Sequence, residues 1–208
     1  RVHRQHRRLA PGQVLQQFFI LRGPDEADQL RACAHHFDFV PAQGAGPYTL
    51  PDTRDVITTA ACDECHDRLA IHGSRYETKY CVVCHNPGLG EGDMGYMVHA
   101  IHAGTKVDED DDLHMRETDY VLGGDNFGAV AFPQDLRNCD KCHKGTDGDN
   151  WNLVPTQAAC GACHDNVDFS LHMGGQANNA GCSSIGCHDA EDIMEDHLTE
   201  NATTHNPD

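Results

Sequence analysis

Hydrophobic positions in this 208-residue chain seldom repeat with the period of a helix or a strand. The longest apolar run near the start, Val14 to Leu21, is a strand closed by Gly23-Pro24. One strand cannot bury both faces by itself, so it packs on a bulky apolar group or adds to a strand of another chain. Tyr96 to His102 predicts a short helix ending at Gly104. Asp189 predicts the cap of a final helix through Leu198, with Ile193 and His197 on one face. Pro41 to Pro51 is a Gly/Pro-rich linker. It separates an N-terminal segment, residues 1–52, with one or two strands and a candidate subunit contact, from a larger region, residues 53–208.

Composition explains the weak periodicity only if something else fills the interior. Hydrophobic residues make up 38% and aromatics 6%, which gives a thin core for this length. The missing apolar mass is announced by a repeated motif. Cys62-Asp63-Glu64-Cys65-His66 recurs as Cys81-Val82-Val83-Cys84-His85, Cys139-Asp140-Lys141-Cys142-His143 and Cys160-Gly161-Ala162-Cys163-His164. A stretched form, Cys182-Ser183-Ser184-Ile185-Gly186-Cys187-His188, follows. Cys-x-x-Cys-His attaches c-type haem through two thioethers and offers its histidine to the iron. On the order of 0.05 copies would arise by chance in such a composition. The expectation is five haem c groups, with a polypeptide that does not fold without them. The motifs come in two pairs, as an internal duplication with a fifth added.

His66, His85, His143, His164 and His188 are the proximal ligands by motif. The remaining histidines are more than enough to close five sixth positions. His99 and His102, three apart on one helix, project to the same side. They are too close to flank one porphyrin, so they serve two neighbouring haems. His72, His172 and His197 complete the distal set, with His114 in reserve. Histidine on both sides gives a low-spin iron, closed to substrates, at a lower potential than a His/Met pair. Met94, Met97, Met115, Met173 and Met194 are pocket filler. Cys33, the eleventh cysteine, is a buried thiol or an intermolecular link. His35 and His36 are solvated loop residues, and so is the acidic run Asp108 to Asp112, which lacks the spaced ligands of a calcium loop.

The formal charge of −18 excludes nucleic acid as a partner. No stretch approaches the roughly 20 apolar residues of a membrane span. Thioether attachment places the chain outside the cytoplasm, so it is expected in the periplasm or outside the cell. Arg1 in place of Met marks a mature or trimmed form.

Further features point to a family. Cys62 to Pro87 with His72-Gly73 and Tyr80 to Pro87, Met97-Val98-His99-Ala100-Ile101-His102-Ala103-Gly104, Phe132 to Cys139 and Ala159 to His164 resemble the pentahaem domain of the OmcA/MtrC family of outer-membrane multihaem cytochromes. The resemblance covers about residues 53–200. It implies a mostly irregular chain of short α-helices wrapped round closely spaced bis-histidine haems, with a small β element near the N-terminus. It implies electron transfer in extracellular respiration, to minerals, electrodes, flavins or other cytochromes. The distal roles carry over onto His72, His99, His102, His172 and His197. Two features depart from the family. Its members pair each pentahaem domain with β-barrel domains, whereas fewer than 65 residues precede Cys62 here. The fifth site has four residues between its thiols.

Three alternatives compete. The Cys-x-x-Cys pairs have zinc-ribbon spacing, but a ribbon has no use for a histidine after every pair. A multihaem enzyme needs one open iron, and no variant proximal ligand appears. Among electron carriers, a diffusing shuttle or complex subunit competes with a head-to-tail filament of copies of the chain. The basic tip Arg1, Arg4, Arg7 and Arg8, the apolar strand and Cys33 motivate the filament. His3, His6, His35 or His36 would then be free to reach a neighbour's haem.

Overall fold

The computed structural model describes residues 15–21, 33–39, 55–73, 75–105, 116–172, 182–183 and 188–198. The basic tip, the linker, the acidic run, His114, Met115, Met173 and Cys187 lie outside these residues.

Strand β1 (Leu15–Leu21) pairs antiparallel with β2 (Cys33–Phe39), in a register that sets Leu15 opposite Phe39, Phe18 opposite His36 and Leu21 opposite Cys33. The apolar run thus has an in-chain partner, and His35 and His36 belong to a strand, not a loop. The pairing was hidden because β2 interrupts its apolar residues with two histidines and an aspartate. Its alternation is visible only when Cys33, His35, Phe37 and Phe39 are read as one face-sharing set.

The remaining elements are short. Helix α1 (Thr59–His66) is capped by Thr58, whose hydroxyl accepts from the Ala61 amide. Helix α2 (Thr78–Cys84) begins beside it. The Thr59 hydroxyl accepts from the Thr78 amide at 2.9 Å, so the starts of the two helices are stitched together. Helix α3 (Met94–Ala103) is capped by Asp93, which accepts from the Gly95 amide at 2.8 Å. It stops at Gly104, whose φ of 60° lies in the left-handed region. A Cβ there would stand 2.2 Å from the Val130 carbonyl oxygen, so only glycine fits. A two-residue ladder, β3 (Val121–Leu122) with β4 (Asp125–Asn126), forms the tight hairpin that follows. Helices α4 (Asn150–Leu153), α5 (Gln157–Gly161) and α6 (Ala190–Leu198) complete the order. Asp189 accepts from the amides of Glu191 and Asp192, as its capping position predicts.

The protein core is small. Ala100, Tyr120 and Ala162 are buried together, with Tyr96, Met97, Ile101, Leu122 and Phe127 packed around them where α3 meets α5. The Tyr120 hydroxyl donates to the Glu91 carbonyl at 2.7 Å. A second seam joins the start of the motif region to the third motif. The amides of Gly145 and Asp147 donate to the carbonyls of Val56 and Asp55 at 3.1 and 3.0 Å. Backbone contacts this close leave no room for a side chain at Gly145, where a Cβ would sit 1.8 Å from the Asp55 oxygen.

Candidate functional site: five histidine couples

The motif cysteines sit at or near the ends of short turns. Cys62 and Cys65 lie in α1, Cys81 and Cys84 in α2, and Cys160 in α5. Cys139 opens a 3-10 turn, Cys139–Lys141, so the third motif lacks the helix of the first two. Pro133 and the turn at Asp135–Arg137 precede it, and these do not propagate a helix. Each of the first four motif histidines is therefore delivered at or just past the end of a turn.

Each motif histidine faces one of the five other histidines singled out in the sequence. Ring centroids of His66 and His102 are 5.9 Å apart, those of His85 and His72 6.3 Å, and those of His143 and His99 6.1 Å. His164 and His197 are separated by 6.4 Å, and His188 and His172 by 6.0 Å. Contact stacking of two imidazoles would bring the rings closer than this, and three of the couples have planes within 18° to 29° of parallel. An ion bound between two imidazoles at about 2.0–2.1 Å from each nitrogen separates the centroids by about 6.3 Å. The spacing leaves room for an ion that the two histidines of each couple would hold between them.

Ring orientation agrees. His99 Nδ1 is 2.6 Å from the Gly95 carbonyl, His102 Nδ1 2.7 Å from Val98, His197 Nδ1 2.8 Å from Ile193, and His85 Nδ1 2.8 Å from Gly92. A carbonyl oxygen can only accept, so Nδ1 carries the proton and Nε2 keeps its lone pair. This is the arrangement that fixes a metal-binding imidazole. In three of the four the acceptor is the carbonyl one helical turn back, so the helix itself sets the tautomer. Burial pushes the His99 imidazolium down, against the Gly95 carbonyl, and His102 adds to the effect. Burial, with His99 nearby, does the same to His143. The His143 Nδ1 is buried without a hydrogen bond of good geometry.

The couples are linked in space. His99 and His102 ride on α3 but face motif histidines far apart in the chain, His143 and His66. Glu64, inside the first motif, accepts from Lys141 at 2.5 Å and Lys144 at 2.6 Å, beside the third. These hydrogen bonds hold its carboxyl down at about 2. Burial, then proximity to Cys65, raises the Cys142 thiol. Burial, then Cys182, raises Cys160, which sets the start of the fifth motif near the fourth. Burial pushes the Cys62, Cys139 and Cys163 thiols up to about 11. Among the described residues no three His, Cys, Asp or Glu side chains gather round one point as a bare ion would require.

Apolar side chains flank two of the couples without covering from protein. Ile71, beside His72, is 73% exposed, and Leu171, beside His172, is 83% exposed. A large flat apolar group between each pair of imidazoles fits both the spacing and this surface. Two residues besides the motif cysteines and the histidines complete the region and escaped sequence reasoning. Glu64 is a motif filler with no pattern to mark it. Arg116 follows the acidic run and looks like one more solvated charge.

Residues 54–207 match the family described as outer membrane cytochrome MtrC/MtrF-like, domains II/IV. The chain belongs to this family. It is 32% identical over 176 residues to the multiheme cytochrome MtrC of Shewanella baltica strain OS185, a match that covers 79% of this chain and 22% of that protein. The crystal structure of MtrC from Shewanella baltica OS185 superposes with a TM-score of 0.58 at 26% identity, over 91% of this chain and 28% of the other. The chain thus spans about a quarter of the length of the MtrC proteins it matches. The MtrC-like fold agrees with the fold class read from the sequence in its short helices and small two-stranded sheet.

Proposed function

We propose that this MtrC/MtrF-like chain is an electron-transfer module holding five c-type haems, each ligated by two histidines. The observation that carries this reading is the five His–His couples at 5.9–6.4 Å, each containing one motif histidine. Cys62 and Cys65, Cys81 and Cys84, Cys139 and Cys142, Cys160 and Cys163, and Cys182 and Cys187 would form the thioethers. His66, His85, His143, His164 and His188 would bind from the motif side, and His102, His72, His99, His197 and His172 opposite them in that order. Haem iron supplies reversible one-electron chemistry when bound. The residues' part would be to hold the iron between the two imidazoles of each couple, with His85, His99, His102 and His197 fixed through Nδ1, and to keep water and small molecules off the metal. A module built this way passes electrons and does not transform substrates.

The family points to a place outside the cell, with minerals, electrodes or other cytochromes as acceptors. A filament of head-to-tail copies extends the same reading. The in-chain pairing of β1 removes one of its motives in part, since β1 keeps a single edge without a partner among the described residues. Deleting residues 1–22 should abolish polymers seen by electron microscopy; polymers that persist would count against an N-terminal interface.

The decisive experiment on the module is intact mass with low-temperature electron paramagnetic resonance of the exported protein. Five covalent haems, all low-spin, are expected. Fewer than five, or a high-spin fraction in native protein, would refute the reading.

A further inference from the structure

Arg116 is the charged side chain that the described residues bury, at 3% exposure. Its Nη1 donates to the Tyr96 hydroxyl and to the Ala162 carbonyl, both at 3.1 Å. Its guanidinium carbon lies 5.7 Å from the Tyr96 ring centre and 5.4 Å from that of Tyr120. Nε is buried and has no partner. Among the described residues no carboxylate forms an ion pair with it. Asp165 is nearby, but it is turned to the amides of Glu117 and Thr118 and to the Thr118 hydroxyl.

A desolvated guanidinium with no carboxylate hydrogen-bonded to it among the described residues is costly; two tyrosine rings, two neutral acceptors and the more distant Asp165 and Asp119 offset only part of that. The position explains what the charge is for. Ala162 lies between Cys160 and Cys163, inside the fourth attachment motif, so the positive charge is lodged against the loop that would carry the fourth haem. Other cations near the motifs are neutralised or wet. Lys141 and Lys144 pair with Glu64, and Arg137 pairs with Asp135.

Resting on the five-haem reading, we propose that Arg116 is the positioning and potential-setting residue of the fourth haem site. It holds the motif loop through the Ala162 carbonyl. Its fixed charge raises this haem's reduction potential above the other four. Reduction adds one electron to the ferric iron, so a cation held in a low-dielectric pocket favours the ferrous form. Solvated cations elsewhere are screened and do this weakly. Electrons entering the chain would therefore settle first at the fourth haem.

The test is a mediator-assisted spectroelectrochemical titration of the holo-protein, with haem counted by intact mass. Arg116→Met should keep five haems and move the highest reduction step down while the others stay. Arg116→Lys, which keeps the charge on an unforked stem, should leave that step in place. Five haems with unchanged steps in Arg116→Met would overturn the proposal. His197→Ala on an otherwise native chain decides independently of how the Arg116 variants assemble. It turns the fourth haem high-spin and should remove the highest low-spin step; loss of any other step overturns the proposal. A native chain whose haem count does not fall on Cys160→Ala/Cys163→Ala would instead overturn the five-haem reading itself.

Discussion

Replacing His99 and His102, singly and together, tests the couples most directly. Alanine is the best helix former, so α3 loses ligands without losing its helix. His99 faces His143 at 6.1 Å and His102 faces His66 at 5.9 Å, so each substitution strips one sixth position from a different site. The thioethers are untouched, and five haems should stay attached. One of five couples is broken in each single variant, so about a fifth of the haem should become high-spin and bind carbon monoxide when reduced. The double variant should bind two carbon monoxide molecules per chain. The assay is a carbon monoxide difference spectrum of the dithionite-reduced protein, scaled to total haem from alkaline pyridine. Two equivalents bound by either single variant would mean that both histidines serve one site. No binding by a single variant that retains five haems would mean that its histidine is not a ligand.

Two further outcomes follow from the scaffold. Gly104→Ala forces a side chain into a left-handed residue 2.2 Å from the Val130 oxygen, and should cost about 2–3 kcal/mol in urea unfolding; an unchanged midpoint would refute the close approach. Glu64 titrates at about 2 instead of 4.5 because Lys141 and Lys144 hydrogen-bond its carboxylate. Its folded value is depressed, so its contribution is whole above about pH 4.5 and is lost as the pH falls through about 2. Glu64→Gln should flatten that segment of the acid-unfolding curve and leave the curve above pH 5 parallel to the native one.

The chemistry of this chain is written locally, and its architecture is not. The attachment motifs are contiguous, so composition and spacing alone expose them. Helix α3 and the Asp189 cap of α6 were legible because each has a run of helix formers with a stop or start residue at its end. Helices α1, α2 and α5 are too short to show a period, and they exist because their first residues are capped or stitched by threonines. Which distal histidine meets which motif could not be read, since His66 and His102, or His164 and His197, are brought together only by the fold. Strand β2 was missed because two histidines break its apolar pattern. Arg116 was missed because burial of a charge leaves no mark in sequence.

Helix α3 has a consequence beyond ligation. Its two histidines lie three positions apart on one hydrogen-bonded turn, and each is anchored to the carbonyl a turn behind it. The offset between His99 and His102 is thus a matter of helical geometry, near 100° of rotation and 1.5 Å of rise per residue. Tunnelling depends steeply on such offsets. A thin protein core would ordinarily let them drift with temperature or with changes in the loops. On the five-haem reading, this single rigid turn would act as the gauge block, and the surrounding loops could vary in length without detuning the rate between those two sites.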